Sequence, residues 1–455
     1  MSAAAPRLAL VSSRVVTPAG VGPRAVIVSG ECIEAVVSPH EVPRGIEAID
    51  CGGLVVMPGV IDAHVHINEP GRTEWEGFES ATRAAAAGGV TTLVDMPLNS
   101  TPVTTTTAAL EQKRSAAERK LWVDVGFYGG LVPGNVEHLE PLIDSGVCGI
   151  KAFLCDSGLD DFPPVDEPIL RLAMPILARR NVALLVHAEL VDHTLPRLHE
   201  SISYCEYLAS RPEKWETSAI ELLIRLCEEY RCPVHVVHLA NGNALSLLVA
   251  AKQNGLPLTV ETCPHYLYFQ AESIPDADPR YKCAPPIREL RHCELLWRGV
   301  VEGKIDLVAT DHSPCPPEMK HLAEGNFAAA WGGIASVGLT IPVIWTRGRE
   351  QGLNLVRLSQ LLSTAPAQLA GVADCKGAIS PGMDADLVVW DPDAEWTVNA
   401  AQLFHRHKTT PYDGEQLVGR VEKTYLRGNL VFDADKLVDT PVGRELRRDL
   451  SRTNC

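Results

Sequence analysis

Six side chains in this sequence are of types that grip metal ions, and they sit where apolar runs end. The string Asp62-Ala-His64-Val-His66 places two imidazoles at i and i+2. In a strand those positions face the same side, so one divalent cation could take both. Alone the pair is weak evidence, because 15 histidines in 455 residues give about 0.5 such pairs by chance. His405-Arg-His407 is a second one. It is followed by Lys408, falls in no clear strand, and reads as a surface or interface element.

Four more residues lift the first pair above chance. Lys151 lies in Gly149-Ile-Lys-Ala-Phe153, and His187 ends Leu184-Leu-Val-His187. His238 ends His235-Val-Val-His238, and Asp311 follows Leu307-Val-Ala-Thr310. Each sits at the C-terminal end of a predicted strand or just past it. Burying so many ionisable groups together is costly unless they pair or bind metal. His235 is three residues before His238, so strand alternation points it outward, toward a helix layer. His265 and His193 lie just beyond strand ends. The first reads as a support behind the ligands, the second as a loop residue.

The elements that would position these groups alternate in type. Apolar runs at Val60–His66, Val90–Asp95, Trp122–Phe127, Cys148–Leu154, Val182–His187, Pro233–His238, Leu256–Thr262 and Lys304–Thr310 read as eight strands. Amphipathic stretches such as Glu79–Ala87, Ala108–Lys120, Pro168–Arg180 and Glu213–Tyr230 fill the gaps as helices. Eight strand–helix units imply an α/β fold of the (β/α)8 TIM-type barrel, whose strand ends converge on one mouth. An open doubly wound sheet is the alternative, but no GxGxxG follows a predicted strand. Short β-rich runs return at both chain ends, as in Leu8–Val11, Arg14–Thr17, Ala25–Val28, Cys32–Val37, Glu47–Asp50, Gly382–Trp390, Lys423–Leu426 and Leu430–Phe432. The expected organisation is a small β-sandwich-like domain from 1–56 and 372–435, a barrel over 57–371, and a C-terminal tail over 436–455. The stretch 391–420 receives no assignment.

A formal charge of −16 argues against nucleic acid or an anionic membrane as partner, since both want a basic patch. The 13 cysteines are odd in number and form no CxxC pair, so reduced thiols in the cytoplasm are expected, mostly buried. Cys455 is the exception and is expected to be exposed. Met1–Leu8 lacks a signal-peptide pattern, and no apolar run nears the roughly 20 residues of a membrane span.

Met57-Pro-Gly-Val-Ile-Asp-Ala-His-Val-His66, Gly149-Ile-Lys151, Val186-His-Ala-Glu189 and Thr310-Asp-His-Ser-Pro314 resemble the cyclic amidohydrolases of the dihydroorotase, hydantoinase and allantoinase group. The resemblance runs to about residue 430. Asn68-Glu-Pro-Gly-Arg72-Thr-Glu-Trp-Glu76, Asp95-Met-Pro-Leu-Asn99-Ser, Glu261-Thr-Cys-Pro-His-Tyr266 and Lys282-Cys-Ala-Pro-Pro-Ile-Arg288 are similar to the allantoinases within it.

That resemblance implies hydrolysis of the hydantoin ring amide of allantoin to allantoate, by a homotetramer. It implies two divalent metal ions per subunit, zinc first, with iron, cobalt or manganese as alternatives. His64 and His66 would hold one and His187 and His238 the other. Lys151, carboxylated on its amine, would bridge both. Asp311 would complete the first site and carry the proton from attacking water to departing ring nitrogen. Dihydroorotases hold a carboxylate-gripping arginine two residues after the second histidine, where this chain has Asn68. A neutral amide there suits a neutral ureido-hydantoin better. Asn99, Ser313, Cys283 and Ala284 are the other candidate substrate contacts. A hydantoinase, dihydropyrimidinase or dihydroorotase is the second reading. A non-catalytic scaffold on the same barrel is a remote third.

Overall fold

Short Val- and Ile-rich runs at the two chain ends cannot bury an apolar face alone, and here they bury it together. The computed structural model describes residues 7–192, 194 and 198–448. His193, Cys455 and Met1–Pro6 lie outside that set. Strands β1 (Arg7–Thr17), β2 (Gly20–Ser29), β3 (Cys32–Val37), β4 (Glu47–Asp50) and β5 (Val55–Pro58) come from the N-terminal segment. They share one nine-stranded sheet with four strands from the other end of the chain. Leu10, Val26, Val28 and Val56 form its core with Leu387 and Val389.

The barrel begins one residue after β5. Its strands are β6 (Val60–Val65), β7 (Val90–Asp95), β8 (Asp124–Phe127) with its continuation β9 (Gly129–Gly130), β10 (Ile150–Phe153), β11 (Leu184–His187), β12 (Val234–Val236), β13 (Leu258–Thr262) and β14 (Leu307–Val308). Neighbours pair in parallel throughout. The ring closes where Val65 bridges His312 and His66 N donates to the His312 carbonyl at 2.8 Å. Eight strand positions therefore stand where eight apolar runs were read. Helices at Phe78–Ala87, Thr107–Ala117, Glu167–Arg180 and Glu213–Tyr230 occupy the expected gaps. The rest of the end sheet is β15 (Leu387–Thr397), β16 (Gln416–Leu426), β17 (Asn429–Asp433) and β18 (Lys436–Leu437). A last short strand, β19 (Glu445–Leu446), adds to the barrel beside β8.

Two readings of histidines are corrected. His235 faces the barrel interior, not the helix layer. It is level with Leu185, which is level with Lys151, so the three share a face. The alternation argument failed because β12 stops at Val236 and His238 has φ +38°, so the two histidines are not on one regular strand. His405 is not on the surface either. It is 2% exposed, with Nε2 2.6 Å from the Val337 carbonyl oxygen. The stretch 391–420 continues β15 and then crosses to the barrel mouth. There Arg406 N donates to Glu76 Oε1 at 3.1 Å and His407 Nε2 donates to the Glu74 carbonyl at 2.7 Å.

Candidate metal centre and active site

All six predicted ligands meet at the C-terminal mouth of the barrel. His64 is in β6 and His66 just past it, Lys151 is in β10, and His187 ends β11. His238 and Asp311 follow β12 and β14, with φ of +38° and +48°. A left-handed backbone at non-glycine residues costs energy, and it turns both side chains back over the barrel axis. The imidazoles form a chain. Ring centroids are 5.6 Å apart for His66 and His64, 5.5 Å for His64 and His238, and 4.5 Å for His238 and His187. Phe153 stacks on His187 at 4.5 Å.

The donor set fits divalent cations. His64 Nε2 and His66 Nε2 both point at Asp311 Oδ1, from 3.2 and 3.3 Å. These three residues bring one ligand atom each into a space suited to a metal ion. His66 Nδ1, His238 Nδ1 and Lys151 Nζ are buried with no hydrogen-bond partner among the described residues. Burial lowers the pKa of His64, His187 and His238, which favours the neutral imidazole that binds metal. Burial alone would raise the Asp311 carboxyl, but His64, His66 and His238 outweigh it and hold it well below the usual carboxylate range. Burial also brings Lys151 down to about 8, against the pull of Glu261 and Asp311.

Above the imidazoles opens a cavity of about 930 Å³. Asn99, Ala284 and Ser313 line it, whereas Asn68 and Cys283 stand behind its wall. Asn68 Nδ2 reaches the Pro314 carbonyl at 3.4 Å, and the Cys283 carbonyl accepts from Tyr207 Oη at 2.5 Å. Arg72 lies over the Trp75 ring, which packs edge-on against Trp331 of the cavity wall. His265 is fully buried, and desolvation takes it down to about 4.

Several functional neighbours were not singled out from sequence. Glu189, two residues after His187, takes His187 Nε2 at 2.7 Å and is itself paired with Arg211. Glu261 takes His64 Nδ1 at 2.5 Å. Asp62 accepts from Thr310 and from the His64 backbone. Lys282 and Lys320 donate to the carbonyls of Ala328, Ala330, Trp331 and Gly333, fastening one cavity wall. Glu189 and Glu261 stand inside quoted strings, and a carboxylate behind a metal-binding histidine is the rule. That rule was the available signal. The lysines carried none.

The family comparison decides the class. The amidohydrolase family model matches residues 55–431, well over half of the chain. The chain belongs to the amidohydrolase family. Among curated relatives of this amidohydrolase is the allantoinase of Streptomyces avermitilis, 47% identical over 97% of this chain and 99% of that one. The allantoinase of Arabidopsis thaliana is 45% identical over 93% and 88%. Among solved structures, the L-hydantoinase (dihydropyrimidinase) of Arthrobacter aurescens superposes with a TM-score of 0.90 at 29% identity, covering 97% of this chain and 100% of that one. None of the described helices is long and apolar enough to cross a membrane.

Proposed function

We propose that this amidohydrolase opens the hydantoin ring of allantoin at its amide bond to give allantoate. The reaction class follows from the family, and the substrate from allantoinase relatives matched along almost the whole chain. The site reading is a binuclear metal centre. His64 and His66 would hold one ion and His187 and His238 the other. Lys151, as its carbamate, would bridge them, and Asp311 would complete the first. One observation carries it: a fully buried lysine amine without a hydrogen-bond partner among the described residues, beside the His64, His187 and His238 imidazoles and the Asp311 carboxylate. An ammonium can only donate, whereas a carbamate offers an anionic oxygen to each ion. Zinc is the ion we assign, with iron, cobalt and manganese accepted by the same ligands.

When bound, the metals supply Lewis-acid polarisation of the ring carbonyl and bring the attacking water's pKa toward neutrality. Asp311 accepts the water's proton as it adds to the carbonyl carbon, and then delivers it to the departing ring nitrogen. Ser313, 3.0 Å from Asp311 Oδ1, steadies that carboxylate. Asn99 and Ala284 offer polar contacts from the cavity wall, and Asn68 and Cys283 shape it from behind. We assign the protein to the cytoplasm as a homotetramer, on the charge, the cysteine pattern and the family resemblance.

A hydantoinase or dihydropyrimidinase is the second reading, favoured by the close superposition on the Arthrobacter enzyme. Rates on allantoin, dihydrouracil, a 5-substituted hydantoin and dihydroorotate, with metal analysis on the same sample, test both. Allantoin should be turned over far faster than the others. Equal or reversed rates overturn the substrate assignment.

A further inference from the structure

We infer that Thr259, His235 and Glu261 form a relay that fixes the tautomer of His64, and so sets the affinity of the metal position that His64 serves, touching the other position only through the His238 backbone N–H. The inference rests on the binuclear reading above.

Glu261, on β13, is fully buried. Its Oε1 lies 2.5 Å from His64 Nδ1 and accepts from the His238 backbone N–H at 3.2 Å. Its Oε2 lies 3.0 Å from His235 Nε2. His235 Nδ1 in turn lies 2.8 Å from Thr259 Oγ1. A carboxylate only accepts. The ring nitrogens facing it therefore carry the protons, namely His64 Nδ1 and His235 Nε2. A neutral imidazole has one N–H, so His64 presents a lone pair at Nε2. That nitrogen is the one 3.2 Å from Asp311 Oδ1. A lone pair facing a carboxylate oxygen is repulsive unless a cation stands between them. His235 Nδ1 is likewise a lone pair, and the Thr259 hydroxyl donates to it. One acidic residue thus leaves no freedom in the proton positions of the line.

His187 has a separate support. Its Nε2 faces Glu189 Oε2 at 2.7 Å, and Arg211 rather than a second imidazole holds that carboxylate. The His64 and His187 imidazoles therefore rest on different carboxylates. Losing such a partner costs about 10–100-fold in metal affinity.

Glu261→Gln keeps the shape, and its amide oxygen can still accept from the His238 backbone N–H, but it puts a neutral acceptor in place of a charged one at His64 Nδ1. Metal release is followed by chelator titration of the purified holoenzyme, with ions counted per subunit. Wild type is expected to hold two ions. The Glu261→Gln protein should release one of them at about 10–100-fold less chelator and the second on the wild-type curve. Glu261→Asp, which keeps the acceptor, should recover part of the loss. Release of both ions on the wild-type curve, or of both together at low chelator, overturns the relay alone. A wild-type protein that holds no metal overturns the binuclear reading, and this inference with it. Should Glu261→Gln fail to fold, His235→Leu removes only the far donor. It should shift the same ion in the same direction by a smaller factor, and an unchanged curve there overturns the relay.

Discussion

Ser313 Oγ lies 3.0 Å from Oδ1 of Asp311 and 2.9 Å from its carbonyl oxygen, so one hydroxyl ties the side chain and backbone of the proposed proton carrier together. The loop opposite is what keeps Ser313 in place. Gly333 has φ +140°, and a Cβ there would sit 2.3 Å from the Ser313 carbonyl oxygen. Gly333→Ala must displace that backbone. We expect kcat/KM for allantoin to fall by about 100-fold, the scale of a small misplacement at a reacting centre. Metal content should stay at the wild-type value. A variant with unchanged kcat/KM would remove Ser313 from the positioning of Asp311.

Lys151→Ala takes away the buried amine beside the His64, His187 and His238 imidazoles. Turnover and bound metal should both be lost, and a short carboxylic acid such as acetate should restore part of each. Steady-state rates and metal analysis with and without the acid check this. Activity near wild type without the acid would sink the carbamate assignment.

Arg288 and Glu216 are both buried, with Arg288 Nε and Nη2 at 2.9 and 2.6 Å from Glu216 Oε2. Glu216 Oε1 also accepts from the backbone of Ala240 and Asn241, just after His238. Arg288→Met leaves a buried carboxylate unpaired and should cost about 3–5 kcal/mol in urea unfolding. Adding Glu216→Gln removes that charge, keeps the acceptor for the two amides, and should recover most of the loss. Equal stability of the single variant and wild type would contradict the pairing.

His265 and His405 both titrate in the folded state at about 4, because burial disfavours the imidazolium. Unfolded histidine titrates near 6.5. Between those values the unfolded chain binds more protons, so stability rises with pH. Their contribution is fully present above about 6.5 and is lost as pH falls toward 4. Each group adds up to about 1.4 kcal/mol per pH unit to that slope. Denaturant unfolding at pH 7, 6 and 5 should show the fall. His405→Phe and His265→Phe should each flatten it by about one proton. A slope unchanged in both variants would place the acid sensitivity elsewhere.

The periodicity of the chain alone determined a great deal. Eight apolar runs of the right length between amphipathic stretches can be buried on both faces only as a parallel sheet, and the positions of His64, Lys151, His187 and Asp311 at their ends follow from that. Short β-rich runs at both termini announced a shared sheet for the same reason, since neither end carries enough apolar surface by itself. Tertiary structure decided what depends on departures from regular backbone and on partners far apart in sequence. His238 belongs to the mouth only because a left-handed residue follows β12, and His235 turns inward on the near side of that break. Strand alternation cannot see such a step. His405 is buried because a segment from the end sheet crosses to the barrel rim. Glu261 stands almost 200 residues from His64, and only the closed ring brings its carboxylate to Nδ1. The chemistry of the site could be read from residue types, whereas its proton positions, supports and cavity walls follow from which buried donor meets which acceptor.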